Sequence, residues 1–426
     1  MDAVSRKYDI LVWGASSFTG MRLVEYLALN SPKGTRIAIG GRNKDKIKDI
    51  RSRLATKIPD AAINVSEMDI LIGDSLNSEQ MHAIAAQTRV VASTVGPFAI
   101  YGEQLVRACV EEKTDYCDIT AEMPWVRQMH SELNDRAVRG DVHIVPLCGF
   151  DCIPADLGCY MLAQYARNEF NEPLLHVKGS ITGIRGGISG GTLATMTNQL
   201  GIEARRFSEK AMAFIRNKDS QQSRQSTNSK RSNRWVIHYD ETLHRWQTFW
   251  VMSIVNQVTA KWAGKVLNYG PGFTYAESMC TRNLAQAILY GIGYLYGALL
   301  MFFAFTRSII YALRIIPRPG EGPSEEFIKT GYFSLHLEAF SENRVFYGKV
   351  SGSSDPGYGE TAKYLGESAL CLAFDRDQGF RPGIYPPSVA MGSALLKRLR
   401  AKDCQFDIAN KPIAAFSTTS RQRKQL

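Results

Sequence analysis

The chain has 426 residues, 45% hydrophobic and 22% charged, with eight cysteines. That length calls for more than one core at roughly 100–200 residues each, and the composition excludes wholesale disorder, collagen-like repeats and a disulfide scaffold. The formal charge of +10 resides in residues 216–234 (+5) and 397–426 (+6), which leaves −1 for everything else.

A neutral body with two basic segments and no RNA- or DNA-binding module argues against a nucleic-acid partner. No Cys-x-x-Cys pair or Cys/His cluster with zinc spacing occurs, so no metal is expected and the thiols read as reduced. The opening MDAVSRKYDILVWGAS lacks a signal-peptide core and an Arg/Ser-rich presequence, which predicts an intracellular protein.

The first elements are a strand, a glycine turn and an amphipathic helix, YDILVWGASSFTGMRLVEYLAL. Ile10 to Trp13 form the short apolar run of a buried parallel strand, and Leu23, Val24 and Leu27 recur at helical spacing. Between them lies Gly14-Ala15-Ser16-Ser17-Phe18-Thr19-Gly20, with Ser17 where a middle glycine is common. Gly14 permits the tight turn, Gly20 lets the helix approach the sheet, and the free amides at the helix start face a pyrophosphate. The second strand, 36–41, ends in Arg42 with no acid to hold ribose hydroxyls. Arg42, with Lys44 or Lys46, suits a 2′-phosphate, so NADPH is expected in preference to NADH.

Strands at 68–72, 90–95, 116–119 and 143–147 then alternate with helices near 78–87, 102–112 and 125–139. This alternation predicts an α/β fold with a doubly wound parallel sheet. Functional groups should gather at the carboxyl ends of its strands. Those ends supply Thr94-Val95-Gly96-Pro97 with Tyr101, then the run Cys117 to Glu122 with Asp118, then the run Cys148 to Asp156 with Asp151. The expected organisation is a Rossmann domain over 1–155, rejoined by a C-terminal helix at 387–402. A second α+β domain over 156–386, for substrate and dimerisation, precedes that helix, and a basic tail occupies 403–426.

Within the second domain, 216–234 is Ser/Gln/Asn-rich and reads as a solvated loop, with anionic lipid headgroups as the alternative partner. Residues 283–306 are 24 in a row without a charge, inside an apolar segment reaching 316. Three readings stay open: a membrane span, an interfacial helix or hairpin, and a buried core helix or substrate-tunnel wall. Arg307, Arg314 and Arg318 follow the segment as the basic flank of an anchor would, so a membrane or lipid-droplet surface is the expected location.

Four stretches carry a family resemblance: GASSFTG, STVGPFAIYGEQLVRACVEEKTDYCDITAE, CGFDCIPADLG, and SGGT paired with DPGYGETAKYLGESALCL. From about residue 8 to 400 the chain resembles the saccharopine dehydrogenase-like oxidoreductases, in the branch of trans-acting enoyl reductases. The resemblance implies NAD(P)-dependent reduction in lipid or glycolipid metabolism. Mycobacterial relatives act on polyketide-derived lipid chains, and animal relatives associate with lipid droplets. Ser17 departs from the family's usual middle glycine, and YPPSVAMG at 385–392 stands where Thr-Pro-Ala is more frequent.

Reduction of an enoyl thioester needs hydride at the β-carbon, enolate stabilisation and a proton at the α-carbon. Tyr101, Asp118 and Asp151 are the candidate acids. Tyr101 could instead pack under the cofactor, and Asp151 could cap the helix opened by Pro154. Cys148 could line the substrate pocket or be a buried structural thiol. None of the eighteen tyrosines has Lys four residues on, which excludes the Tyr-x-x-x-Lys chemistry of short-chain dehydrogenases.

Gly187 to Gly191 formally fits Gly-x-Ser-x-Gly, but no histidine base accompanies it, and Ser189, Gly190 and Thr192 read as a loop whose amides bind a substrate oxygen. Tyr358, in Asp355-Pro-Gly-Tyr, could reach the cleft or lock its turn. The expected activity is NADPH-dependent reduction of an enoyl or carbonyl group on a lipid-linked substrate, with a homodimer left open. The alternatives are a non-catalytic membrane scaffold or redox sensor, and a saccharopine-type amino-acid dehydrogenase.

Overall fold

A computed structural model describes residues 6–187, 237–302 and 322–409. β1 (Tyr8–Trp13) is buried along its whole length, because it lies at the centre of a sheet covered on both faces. Its alternation divides the core. Ile10 and Val12 face the helix Phe18–Asn30, while Leu11 and Trp13 face the helices Ser78–Ala85, Glu103–Glu111 and Met123–Gly140.

The other strands of this sheet are β2 (Ile37–Gly41), β3 (Asp69–Ile72), β4 (Thr88–Ser93), β5 (Asp115–Asp118) and β6 (His143–Val145). β13 (Gly383–Ile384), near the end of the chain, adds a seventh, and the order is β13–β6–β5–β4–β1–β2–β3, parallel throughout. The order reverses at β1, so the crevice between the carboxyl ends of β1 and β4 is open to a ligand. The helix Thr361–Phe374 also belongs to this layer: Tyr364, Leu365 and Ala369 join the cluster of Val12 and Leu23. Its Glu367 accepts the Tyr26 hydroxyl at 2.7 Å and pairs with Arg398 at 3.3 Å.

A second, mixed sheet runs β14–β12–β11–β7–β10–β9–β8. In chain order these are β7 (His176–Arg185), β8 (His238–Asp240), β9 (Arg245–Phe249), β10 (Thr274–Thr281), β11 (Tyr332–Phe340), β12 (Val345–Gly352) and β14 (Gln405–Ala409). The helix Ile153–Phe170 packs on this sheet through small residues. A Cβ on Gly158 would stand 2.5 Å from the Leu337 side chain, so the helix can approach only because none is there.

The described part of the apolar segment is the helix Leu284–Phe302. Ala287 is buried, and Tyr294 packs edge-on to Phe249 at 5.9 Å. The opposite stripe is open, with Leu289 67%, Ile292 59% and Tyr296 60% exposed. A buried core helix is therefore not what this part of the segment forms. Among the described residues, no helix is long and apolar enough to cross a membrane. The rest of the segment, the basic loop at 216–234 and the tail from 410 lie outside the described residues. Among the described residues, no group of three or more His, Cys, Asp or Glu could hold a metal ion.

Candidate active site

The glycine turn sits at the tip of β1. Gly14 has φ +90°, a conformation that favours glycine, and an added Cβ would lie 2.6 Å from Val95 Cγ2 and 2.8 Å from Thr94 Oγ1. Gly20 passes so close that its Cβ would meet the Gly14 carbonyl oxygen at 2.1 Å. Ser17, where a glycine is common, has φ −75° and needs no glycine. It caps the helix instead: its Oγ accepts the Gly20 amide at 2.9 Å and lies 3.0 Å from Thr94 Oγ1. Thr94 in turn donates toward the carbonyl oxygens of Gly14 (3.1 Å) and Trp13 (3.3 Å).

The loops after β1 and β4 are thus joined through two hydroxyls. Among the described residues nothing accepts from the amides of Ser16, Phe18 and Thr19, and all three residues are half-buried. Open donors at a helix start fit a pyrophosphate. Arg42 is exposed at the tip of β2, and Asn43 caps the following helix by accepting the Lys46 amide at 3.0 Å.

Val95, Gly96, Pro97 and Tyr101 are partly or fully exposed on the neighbouring rim. The candidate acids divide. Asp118 is completely enclosed, accepting the Tyr116 hydroxyl at 2.9 Å and the Thr120 amide at 3.0 Å, and burial pushes its carboxyl up to about 7. It secures the exit of β5, and its burial and bonding differ from the exposed acid that the sequence reading expected there. Cys148 is also interior, with its thiol directed to the Val145 carbonyl at 3.2 Å and pushed upward by burial. This is the buried structural thiol of the two sequence readings, as far as the described residues go.

Asp151 differs from both. It retains partial exposure, no hydrogen bond or ion pair reaches its carboxyl among the described residues, and desolvation raises it to about 6. Nor does it cap the following helix, whose first residues receive no side-chain cap.

Tyr358 is buried and meets the glycine turn, its ring edge-on to Phe18 at 4.9 Å, while Arg22 covers Phe18 at 4.8 Å. Its backbone amide donates to Asp355 Oδ1 at 2.9 Å, and the Gly187 amide donates to Oδ2 at 2.6 Å. Tyr358 therefore braces the turn against the second sheet. Ser189, Gly190 and Thr192 lie outside the described residues.

Two groups were in view in the sequence, at a strand end and in a turn, but their roles were not. Asp355 ties the end of β7 to its own turn. Glu122, fully buried, accepts the amides of Phe98 at 2.7 Å and Ala99 at 3.1 Å. Glu122 closes the Thr120-Ala121-Glu122 run after β5, but no spacing rule marks it as a partner of the β4 loop.

A parallel sheet reversing beside a glycine turn, open amides at the helix start and a cation at the tip of β2 define an NADP-binding oxidoreductase. Residues 10–145 match the family model of the saccharopine dehydrogenase NADP binding domain. A putative trans-acting enoyl reductase of Mycobacterium tuberculosis is 30% identical over 422 residues, spanning 94% of this chain and 97% of the relative. A trans-acting enoyl reductase of Mycobacterium bovis is 28% identical over 417 residues, with the same coverage. Apo saccharopine dehydrogenase (L-Glu forming) of Saccharomyces cerevisiae shares the fold, with a TM-score of 0.51 and 12% identity across 94% of this chain and 100% of that one.

The chain belongs to the saccharopine dehydrogenase-like oxidoreductases, in the branch of trans-acting enoyl reductases. Its cofactor is NADPH.

Proposed function

We propose that this oxidoreductase reduces an enoyl or carbonyl group of a lipid-linked substrate, at a membrane or lipid-droplet surface. The observation that carries the chemistry is Asp151, a partly exposed carboxyl with no partner among the described residues, raised to about 6, beyond β6 at the carboxyl edge of the sheet that bears the glycine turn. NADPH supplies the hydride. Asp151, protonated, gives its proton to the α-carbon of the enoyl group, or to the oxygen of a carbonyl, and leaves as a carboxylate. Tyr101, on the rim formed by the β4 loop, is the alternative donor.

The names of the relatives support an acyl substrate. The lipid surface is supported by the open stripe of Leu284, Ile288, Leu289, Ile292 and Tyr296, and by the uncharged run that continues to Thr306. Such a helix is suited to lie in an interface with its apolar face among acyl chains.

The test couples both halves. NADPH oxidation would be followed at 340 nm against enoyl and keto lipids in vesicles, for wild type, Asp151→Asn and the double variant Leu289→Glu/Ile292→Glu. The first variant should lose turnover while retaining NADPH binding. The second should fold and bind NADPH but fail to float with vesicles. Undiminished turnover in Asp151→Asn removes it as the acid, and unchanged flotation removes this helix as the anchor.

A further inference from the structure

The loop after β4 faces the crevice with no cap of its own. Its short helix, Phe98–Tyr101, is preceded by Pro97, which makes no side-chain hydrogen bond to the helix start and has no N–H. A helix start left in this way has unsatisfied amides. Here they are satisfied from the next loop. β4 and β5 pair in parallel with Ser93 opposite Asp118, which brings the residues after β5 alongside those after β4. The two carboxylate oxygens of Glu122 each take one amide, from Phe98 and Ala99.

Glu122 is itself held, because its amide donates to Thr120 Oγ1 at 3.0 Å and its carbonyl accepts the Val126 amide at 3.1 Å. Trp125 completes the grip. Its ring lies 5.9 Å from that of Phe98, and a Cβ on Gly102 would approach it to 2.8 Å.

We propose that Glu122 is a positioning residue for hydride transfer. Its carboxylate fixes the Val95–Tyr101 loop against the nicotinamide half of the cofactor and touches neither cofactor nor substrate. The proposal rests on reading the crevice as the NADPH site. The adenosine half of the cofactor falls instead to the turn Gly14–Gly20 and to Arg42, which the bonds from Glu122 to Phe98 and Ala99 do not involve. The two halves should therefore respond differently to one substitution.

The experiment measures two ligands on the full chain: 2′,5′-ADP, which carries only the adenosine half, and NADPH, followed by nicotinamide fluorescence. Glu122→Gln keeps the shape but turns an NH2 group toward one of the two amides, and Glu122→Asp keeps the charge with a shorter reach. In Glu122→Gln, NADPH binding should weaken by about tenfold, the order expected for losing a hydrogen bond to a charged group. Binding of 2′,5′-ADP should stay within about twofold. Glu122→Asp should fall between wild type and Glu122→Gln for NADPH, and it carries the test if the glutamine variant does not fold.

Wild-type NADPH affinity in either folded variant would overturn the proposal. So would an equal loss of both ligands together with a lowered melting temperature, which would mark Glu122 as structural only. Failure of the wild type to bind 2′,5′-ADP would instead overturn the cofactor reading, and this proposal with it.

Discussion

The clasp between the β1 turn and the β4 loop can be measured by comparing two glycines. Gly14 and Gly34 have nearly the same φ, +90° and +86°, in very different surroundings. An added Cβ on Gly34 meets nothing within 4 Å, whereas on Gly14 it lies 2.6 Å from Val95 Cγ2, 2.8 Å from Thr94 Oγ1 and 3.3 Å from the Thr94 carbonyl carbon. Gly34→Ala should therefore report backbone strain alone, about 1–2 kcal/mol. Gly14→Ala adds crowding.

Carbon atoms pack at about 3.5–4.0 Å, so the Val95 methyl must retreat by about 1 Å. Thr94 cannot yield easily, because it is bonded to Gly14, Trp13 and Ser17. Overpacking of this kind costs about 1–3 kcal/mol, which brings the expected total for Gly14→Ala to about 2–5 kcal/mol. Urea unfolding followed by circular dichroism, compared through midpoints at unchanged slope, separates the two variants. NADPH titration should show a matching loss for Gly14→Ala alone. If its midpoint moved no further than that of Gly34→Ala, and it bound NADPH normally, the argument that the two loops form one rigid cradle would be refuted.

Further outcomes follow from the same site. Arg42→Ala should weaken NADPH by about 10- to 100-fold, since a hydrogen bond to a charged group is worth about 1.5–3 kcal/mol, and leave NADH nearly unchanged in parallel titrations. If Asp151 is the acid, wild-type turnover should fall as pH rises through about 6, because only the protonated carboxyl can donate; Asp151→Asn should show no such step in its residual rate.

Asp156, fully buried, accepts the Ser388 amide at 2.8 Å and hydroxyl at 2.6 Å, and burial raises it to about 7. A carboxyl raised in the folded state keeps its proton there after the unfolded chain has released one. Its contribution is therefore complete below the unfolded value of about 4 and is lost as pH rises toward 7. Asp156→Asn should remove about one proton from the pH dependence of unfolding across that interval, measured by urea midpoints from pH 4 to 8. An unchanged dependence would exclude Asp156 as a source of it.

The first strand, its turn and its helix were legible because their signals are local. Four consecutive apolar residues, two glycines six apart and leucines at helical spacing need no partner to be recognised. Arg42 was legible for the same reason, as the residue that ends the second strand where an acid would otherwise stand.

Strand ends misled where direction mattered. Asp118 ends one strand of the parallel sheet and Asp151 follows another, and nothing in their neighbours along the chain says that one is enclosed by Tyr116 and Thr120 while the other keeps partial access to solvent. Glu122 stands just past a strand end, but nothing in sequence ties it to the β4 loop, since its partners lie 23 and 24 residues earlier and meet it only because β4 and β5 pair in parallel.

Nor could the apolar segment be resolved from its pattern. An uncharged helix looks the same in sequence whether it is covered or open, and packing against β9 leaves the face of Leu289, Ile292 and Tyr296 uncovered. Sequence alone determined the α/β class, the nucleotide turn and the preference for a phosphorylated cofactor, because each is written in residues a few positions apart. Tertiary structure decided which carboxyl is open, which amides are capped and which helix face is bare, because burial and hydrogen bonding depend on groups that only folding brings together.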